Sequence, residues 1–147
     1  MPNKEKVIRI YMSHCIRGRK GNDATQEDID HNCRTALAAG EKLKTYFLDW
    51  YRMDGFPKVD LYVPAENDEF VQLAYNCGML TIDQILDVDC QIVDKCDMMI
   101  VFGTCVSSGM EVEITYATEN VIPIFAFRVL TPAVLNDLKH VLKMISY

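Results

Sequence analysis

The chain has 147 residues, of which 50% are hydrophobic and 24% charged, a balance that fits one globular domain with one sizeable core and excludes a disordered segment. Its net charge of −6 disfavours a nucleic-acid polymer as partner, since a phosphate backbone needs a basic face, but leaves room for a single phosphate in a local basic loop. No run of about 18 apolar residues occurs, so no membrane span is expected, and the start "MPNKEKVIRIYM", with Glu5 and Arg9 in and around its short apolar segment, does not read as a signal peptide.

In chain order, "VIRIYMSH" (7–14) is β-rich and runs into a glycine- and charge-rich loop, "CIRGRKGND". A long helical pattern follows. Thr25 and Asp28 have capping-box spacing, and Ile29, Cys33, Ala36, Leu37, Leu43 and Phe47 recur at roughly helical intervals until "MDGFPK" breaks them. "VDLYVP" (59–64) predicts a short second strand, and "ENDEFVQLAYNCG" a short helix stopped by Gly78. "TIDQILDVDCQIVDKC" predicts another helix with Thr81 as N-cap, and "DMMIVFG" (97–103) a strand that is apolar on both faces. "VSSGMEVEITYA" (106–117) turns from loop into helix, "VIPIFAF" (121–127) reads as a further buried strand, and "TPAVLNDLKHVLKMI" as a final helix with Thr131 at N-cap and Pro132 at N1.

Near-continuous apolar strands alternating with helices imply a single-domain α/β fold. The expected form is a doubly wound parallel sheet of the Rossmann or flavodoxin-like kind, about five strands with helices on both faces. Ligands in such sheets bind at the carboxyl ends of the strands, here the loops 14–23, 64–69 and 103–109. The six cysteines, at 15, 33, 77, 90, 96 and 105, contain no C-x-x-C pair, and His14 and His31 lack zinc spacing. Reduced thiols in a cytoplasmic protein are expected, with no metal and no cofactor.

Two places carry chemistry. The loop "HCIRGRKGN" is the most basic stretch of an acidic chain and holds Arg17, Arg19 and Lys20 with Gly18 and Gly21. Glycines let backbone N–H groups approach an anion, and a guanidinium can fork a phosphate. Taken alone, a solvated basic turn is the plainer reading, because neither a Walker A nor a G-x-G-x-x-G pattern is present. The second place is the pair Glu111 and Glu113, which cannot share a helix face. With Ser108 as N-cap, Glu111 takes the capping-box position and lies with Ser108, Thr115 and Thr118 on a polar face. Glu113 lies with Gly109, Met110, Tyr116 and Ala117 on an apolar face, where a carboxylate is expensive unless it is used or paired. Asp89, in register with Leu86 and Val93, is the best partner for it; Asp83, Asp87 and Asp94 read as a solvated acidic face. Two convergent carboxylates suit glycosidic chemistry.

Three segments, "YMSHCIRGRK", "DCQIVDKCDMMIV" and "SSGMEVEITYA", together resemble the 2′-deoxynucleoside 5′-monophosphate N-glycosidases of the nucleoside 2-deoxyribosyltransferase superfamily. Tyr11 and Ile16-Arg17-Gly18 match that family's first motif, Asp89 and Asp97 the spacing of its second, and Ser107, Gly109 and Glu113 its third; residues 50–80 match only loosely. The resemblance implies that Glu113 attacks C1′ of the sugar and carries a covalent glycosyl intermediate. Asp89 would orient the sugar or assist proton transfer to the leaving base, and Tyr11 would hydrogen-bond the nucleophile. Cys15, Ile16, Arg17, Gly18, Arg19, Ser107 and Gly109 would surround the 5′-phosphate of a small nucleotide substrate.

The resemblance also implies a homodimer or higher homo-oligomer with shared sites, in which Thr131 reaches a neighbour's phosphate as well as, or instead of, capping the last helix. His14 and Cys15 depart from the family's Gly and Ser. Cys15 removes a hydroxyl ligand but keeps its backbone N–H, and His14 contacts phosphate or base or simply caps the strand end. Base exchange by a nucleoside 2-deoxyribosyltransferase, and a non-catalytic nucleotide-binding or sensing protein, stand as alternatives to hydrolysis.

Overall fold

A computed structural model describes residues 6–146 of the chain. Residues 1–5 of the stretch that bears on a signal segment lie outside them. The elements run β1 (Val7–Ser13), α1 (Gln26–Met53), β2 (Lys58–Tyr62), α2 (Asp68–Asn76), α3 (Ile82–Asp94), β3 (Met98–Phe102), α4 (Ser108–Glu119), β4 (Ile124–Phe127) and α5 (Pro132–Ser146). Short 3₁₀ turns at Gly18–Asp23 and Pro64–Asn67 follow β1 and β2.

All strand pairs are parallel, in the order β2-β1-β3-β4. The sheet therefore has four strands among the described residues, not the five expected. The chain between β2 and β3, which could have supplied one more, is spent on two successive helices, and α5 runs to the end of the described residues. A second correction concerns β4. As the outermost strand it is not buried: Ile124 and Ala126 are exposed and only Phe127 is enclosed.

Strand alternation sends odd and even residues to opposite faces. Ile8, Ile10 and Met12 of β1, with Met98 and Ile100 of β3, pack against α1 and α5 in the larger core cluster. Tyr11, Met99 and Val101 point the other way, toward Val93 of α3 and Met110 and Ala117 of α4, in a smaller cluster.

The helix α1 buries Ile29, Cys33, Ala36, Ala39, Gly40, Leu43, Phe47 and Trp50, one continuous stripe at spacings of three and four. Its start is a full capping box: Asp28 N–H donates to Thr25 Oγ1 at 3.1 Å and Thr25 N–H to Asp28 Oδ2 at 2.9 Å. Gly40 lets this helix approach the end of β2, because a Cβ there would lie 2.9 Å from Val63 Cγ2. Among the described residues no helix is long and apolar enough to cross a membrane; α1 has the length, but its outer face is charged.

Candidate active site

In the order β2-β1-β3-β4 the chain leaves β1 in one direction across the sheet and β3 in the other. The crevice between their carboxyl ends is the switch point at which doubly wound sheets bind ligands. A cavity of about 300 Å³ opens there. Its floor is Glu113, one wall is α3 with Ile85, Leu86 and Asp89, and another is α2 with Asp68, Val71, Gln72 and Tyr75. The remaining side is built by His14, Ile16, Arg17 and Gly18 after β1 and by Ser107, Ser108 and Gly109 at the start of α4.

Among the described residues Glu113 is one of three buried polar or charged residues, with 6% of its surface exposed; the others are Ser13 and His14. Tyr11 and Ser13 sit two apart on β1 and so project from the same face of the sheet, the face that meets α4. The Tyr11 hydroxyl donates a short hydrogen bond to Glu113 Oε2, and the Ser13 hydroxyl donates to Oε1 at 3.2 Å. Both carboxylate oxygens are thus held from one strand, which fixes the rotamer and leaves the remaining lone pairs for the cavity. Glu111, two positions away, is exposed.

Burial drives the electrostatics. It pushes the Glu113 carboxyl up to about 7 against an ordinary 4.5; the Tyr11 bond pulls it down, the nearby Asp89 charge pushes it up again and the Ser13 bond pulls it down. Burial likewise raises Asp89 to about 6, offset in part by the nearby Tyr11 hydroxyl. Tyr11, fully enclosed and stacked on Tyr62 with ring centres 5.5 Å apart, is driven far above its ordinary range by burial and then by Glu113, so it stays a neutral donor at any working pH. Burial thus raises both carboxyls beside the same phenol. Such perturbation in a cleft is the pattern expected of reacting groups.

The other end of the cavity suits an anion. Arg17 lies over the Tyr75 ring, 5.8 Å from its centre. The α4 N-terminus adds first-turn N–H groups and the positive end of its dipole. Gly18 adopts φ +70°, in the left-handed region where a side chain is strained, and Asn32 of α1 donates to the Ile16 carbonyl at 2.8 Å to hold the loop in place.

Ser107, not Ser108, is the N-cap of α4: its Oγ accepts from Met110 N–H at 3.3 Å. The reading of Ser108 and Glu111 as a capping box is therefore corrected. Either serine is a competent cap, and the choice rests on where the chain leaves extended geometry after β3, which places Ser107 at ψ 167° and Met110 inward. Ser107 still has its hydroxyl proton to donate to a ligand. His14 is also settled by geometry. Its Nδ1 donates to the Cys15 carbonyl at 3.1 Å, and its Nε2 accepts from Ala65 N–H at 3.1 Å. It is neutral, as burial favours, and ties the β1 loop to the turn after β2.

Of the other residues singled out, Asp89, Ile16, Arg17, Gly18, Ser107, Gly109 and Glu113 line the cavity, and Tyr11 lies beneath it. Lys20 pairs with Asp28 away from it, and three more do not line it. Cys15 turns away to Cys105 and Met110, Arg19 faces a separate surface groove, and Thr131 caps α5 by accepting from Val134 N–H at 3.2 Å. Three contributors were not singled out. Ser13 carried a signal, its period-two relation to Tyr11. Gln72 and Tyr75 carried none, because residues 64–80 show no motif. Among the described residues no group of His, Cys, Asp and Glu is arranged to hold a metal ion.

The fold and site define a class: a small parallel α/β domain with a buried, doubly bonded glutamate at the switch point of its sheet. A family model described as a domain of unknown function, DUF7768, matches residues 82–127. That span, under half of the chain, runs from α3 to the end of β4 and so contains Asp89, Ser107, Gly109 and Glu113. No curated protein and no solved structure matches the chain.

Proposed function

We propose that the protein hydrolyses the N-glycosidic bond of a nucleoside or deoxynucleoside 5′-monophosphate, releasing free base and a 5-phospho sugar. The observation that carries this reading is Glu113, a buried carboxylate held through both oxygens by Tyr11 and Ser13 at the floor of a cavity that Arg17 also lines. A binding protein has no need of such a group, since burying a carboxylate costs stability even when it is hydrogen-bonded. Glu113 attacks C1′ as the C1′–N bond breaks, and the base leaves with a proton that Asp89, raised toward neutrality, can deliver. Water then attacks C1′ of the glycosyl-Glu113 ester, giving up a proton to Asp89 and releasing the sugar phosphate. Arg17, Ser107 and the loop N–H groups hold the phosphate, so binding energy from a non-reacting part of the substrate positions C1′. The sequence resemblance names the same carboxylate and implies a homodimer or higher homo-oligomer, and the reduced thiols suit a cytoplasmic protein.

The test is direct. Free base is followed by chromatography across a panel of ribo- and deoxynucleoside monophosphates and their unphosphorylated counterparts, with and without a second base. Release should fall by on the order of a thousandfold or more in Glu113→Gln, the scale on which deleting a nucleophile acts, and persist in Glu111→Gln. Arg17→Ala should lose about 1.5–3 kcal/mol of discrimination between monophosphate and nucleoside, the worth of a charge-assisted hydrogen bond. Product carrying the second base would turn the reading to transfer, and tight nucleotide binding without turnover would turn it to sensing.

A further inference from the structure

Two cysteine thiols that the proposed chemistry does not use meet beside the anion end of the cavity. Cys15 follows β1 and Cys105 follows β3, the two central neighbours of the sheet. Their sulfurs lie 2.9 Å apart, and the Cys15 thiol also reaches the Cys105 carbonyl at 3.2 Å. Both are free and half-buried. Their surroundings differ. Cys105 lines a groove of about 390 Å³ together with Arg17, Arg19, Lys20 and Arg34, and the last three are exposed. The groove gives a small oxidant a path to Cys105. Cys15 sits behind it with its sulfur 3.4 Å from Met110 Sδ, and burial, then the Cys105 contact, pushes its thiol up to about 12.

We propose that Cys15 and Cys105 are a reversible modification site: a peroxide oxidises them to a disulfide that staples the loop carrying Arg17 to the loop carrying Ser107. Cys105 is the attacking thiol and Cys15 the resolving one. The Cys105 thiolate attacks one peroxide oxygen, the O–O bond breaks, and hydroxide leaves and takes a proton to become water. Cys15 sulfur then attacks the sulfur of the Cys105 sulfenic acid. The S–S bond forms as the S–O bond breaks, and the hydroxyl leaves as water with the Cys15 proton. Two thiols lose two electrons in total, and hydrogen peroxide is reduced to two waters. A thiol reductant reverses the change by exchange. Transient disulfides of this kind are the form met in reducing compartments.

The experiment treats the reduced full chain with hydrogen peroxide, alkylates the remaining thiols and maps the digest by mass spectrometry without reduction. The expected result is a cross-linked peptide pair containing Cys15 and Cys105, with Cys33, Cys77, Cys90 and Cys96 alkylated. The midpoint of thermal unfolding should rise, and dithiothreitol should return it. Cys15→Ser should accumulate a Cys105 sulfenic acid that dimedone traps, and Cys105→Ser should leave Cys15 alkylatable. A cross-link through any other pair, or both thiols alkylated after oxidation of the wild type, overturns the proposal. A sulfenic acid trapped on Cys15 in Cys105→Ser overturns the order of attack. The readout is mass, not turnover, so this result is independent of the glycosidase reading.

Discussion

The two faces of the sheet are built by different rules. On the face covered by α1 and α5, apolar side chains from both strands and helices close into the larger cluster, with Ile8, Ile10, Leu43 and Leu138 fully enclosed. On the face covered by α3 and α4 the apolar cluster is smaller, and the same sheet offers Tyr11 and Ser13 to a buried glutamate beside a cavity. The first face is where burial stabilises the domain; the second is where a carboxyl group is buried at a cost in stability. The larger apolar cluster and the buried glutamate thus occupy opposite sides of one four-stranded layer, and substitutions should separate them.

The largest effect on stability should come from the closed face. Leu43→Ala removes a fully buried side chain and should cost about 2–5 kcal/mol in denaturant unfolding. A loss below about 1 kcal/mol would mean that this face is not the stabilising one. On the cavity face the sign is reversed and depends on pH. Because the folded value of Glu113 is raised from 4.5 to about 7, its contribution to stability is fully present below pH 4.5 and is lost as pH rises through about 7. Glu113→Gln should therefore gain stability over the wild type as pH rises across that window, by up to about 3 kcal/mol. A pH-independent difference between the two proteins would break the comparison.

Gly40→Ala tests the closeness of α1 to the end of β2. Helix propensity favours alanine by roughly 1 kcal/mol, but the new Cβ would lie 2.9 Å from the enclosed Val63, and overpacking of that kind costs about 1–3 kcal/mol. Net destabilisation is expected, and a rise in the melting midpoint would show that Val63 yields. The smallest effects separate the residues at the start of α4. Ser107→Ala should cost about 1 kcal/mol through the lost cap. Glu111→Gln should stay within about 0.5 kcal/mol, as for an exposed residue. Equal losses would restore Glu111 to the cap.

Much of this was legible in the linear chain because it depends on local chemistry. The capping box at Thr25, the N-cap at Thr81, the stop at Gly78 and the start of α5 follow from side chains within reach of their own backbone. So does the inward face of α4, since helical periodicity alone separates Glu113 from Glu111. The N-cap of α4 was not legible: two adjacent serines have the same chemistry, and only the path of the chain out of β3 selects Ser107. The number of strands and the exposure of β4 were not legible either, because an edge strand and a central one can share the same apolar run.

What the sequence by itself determined is the set of elements and the side each one presents, because periodicity and capping act over a few residues. What only the tertiary structure decided is which distant residues meet. Tyr11 and Ser13 reach Glu113 across about a hundred positions of chain, and Cys15 reaches Cys105 across 90. These meetings depend on β1 and β3 being sheet neighbours with their carboxyl ends together, a pairing set by the strand order and not by any local signal.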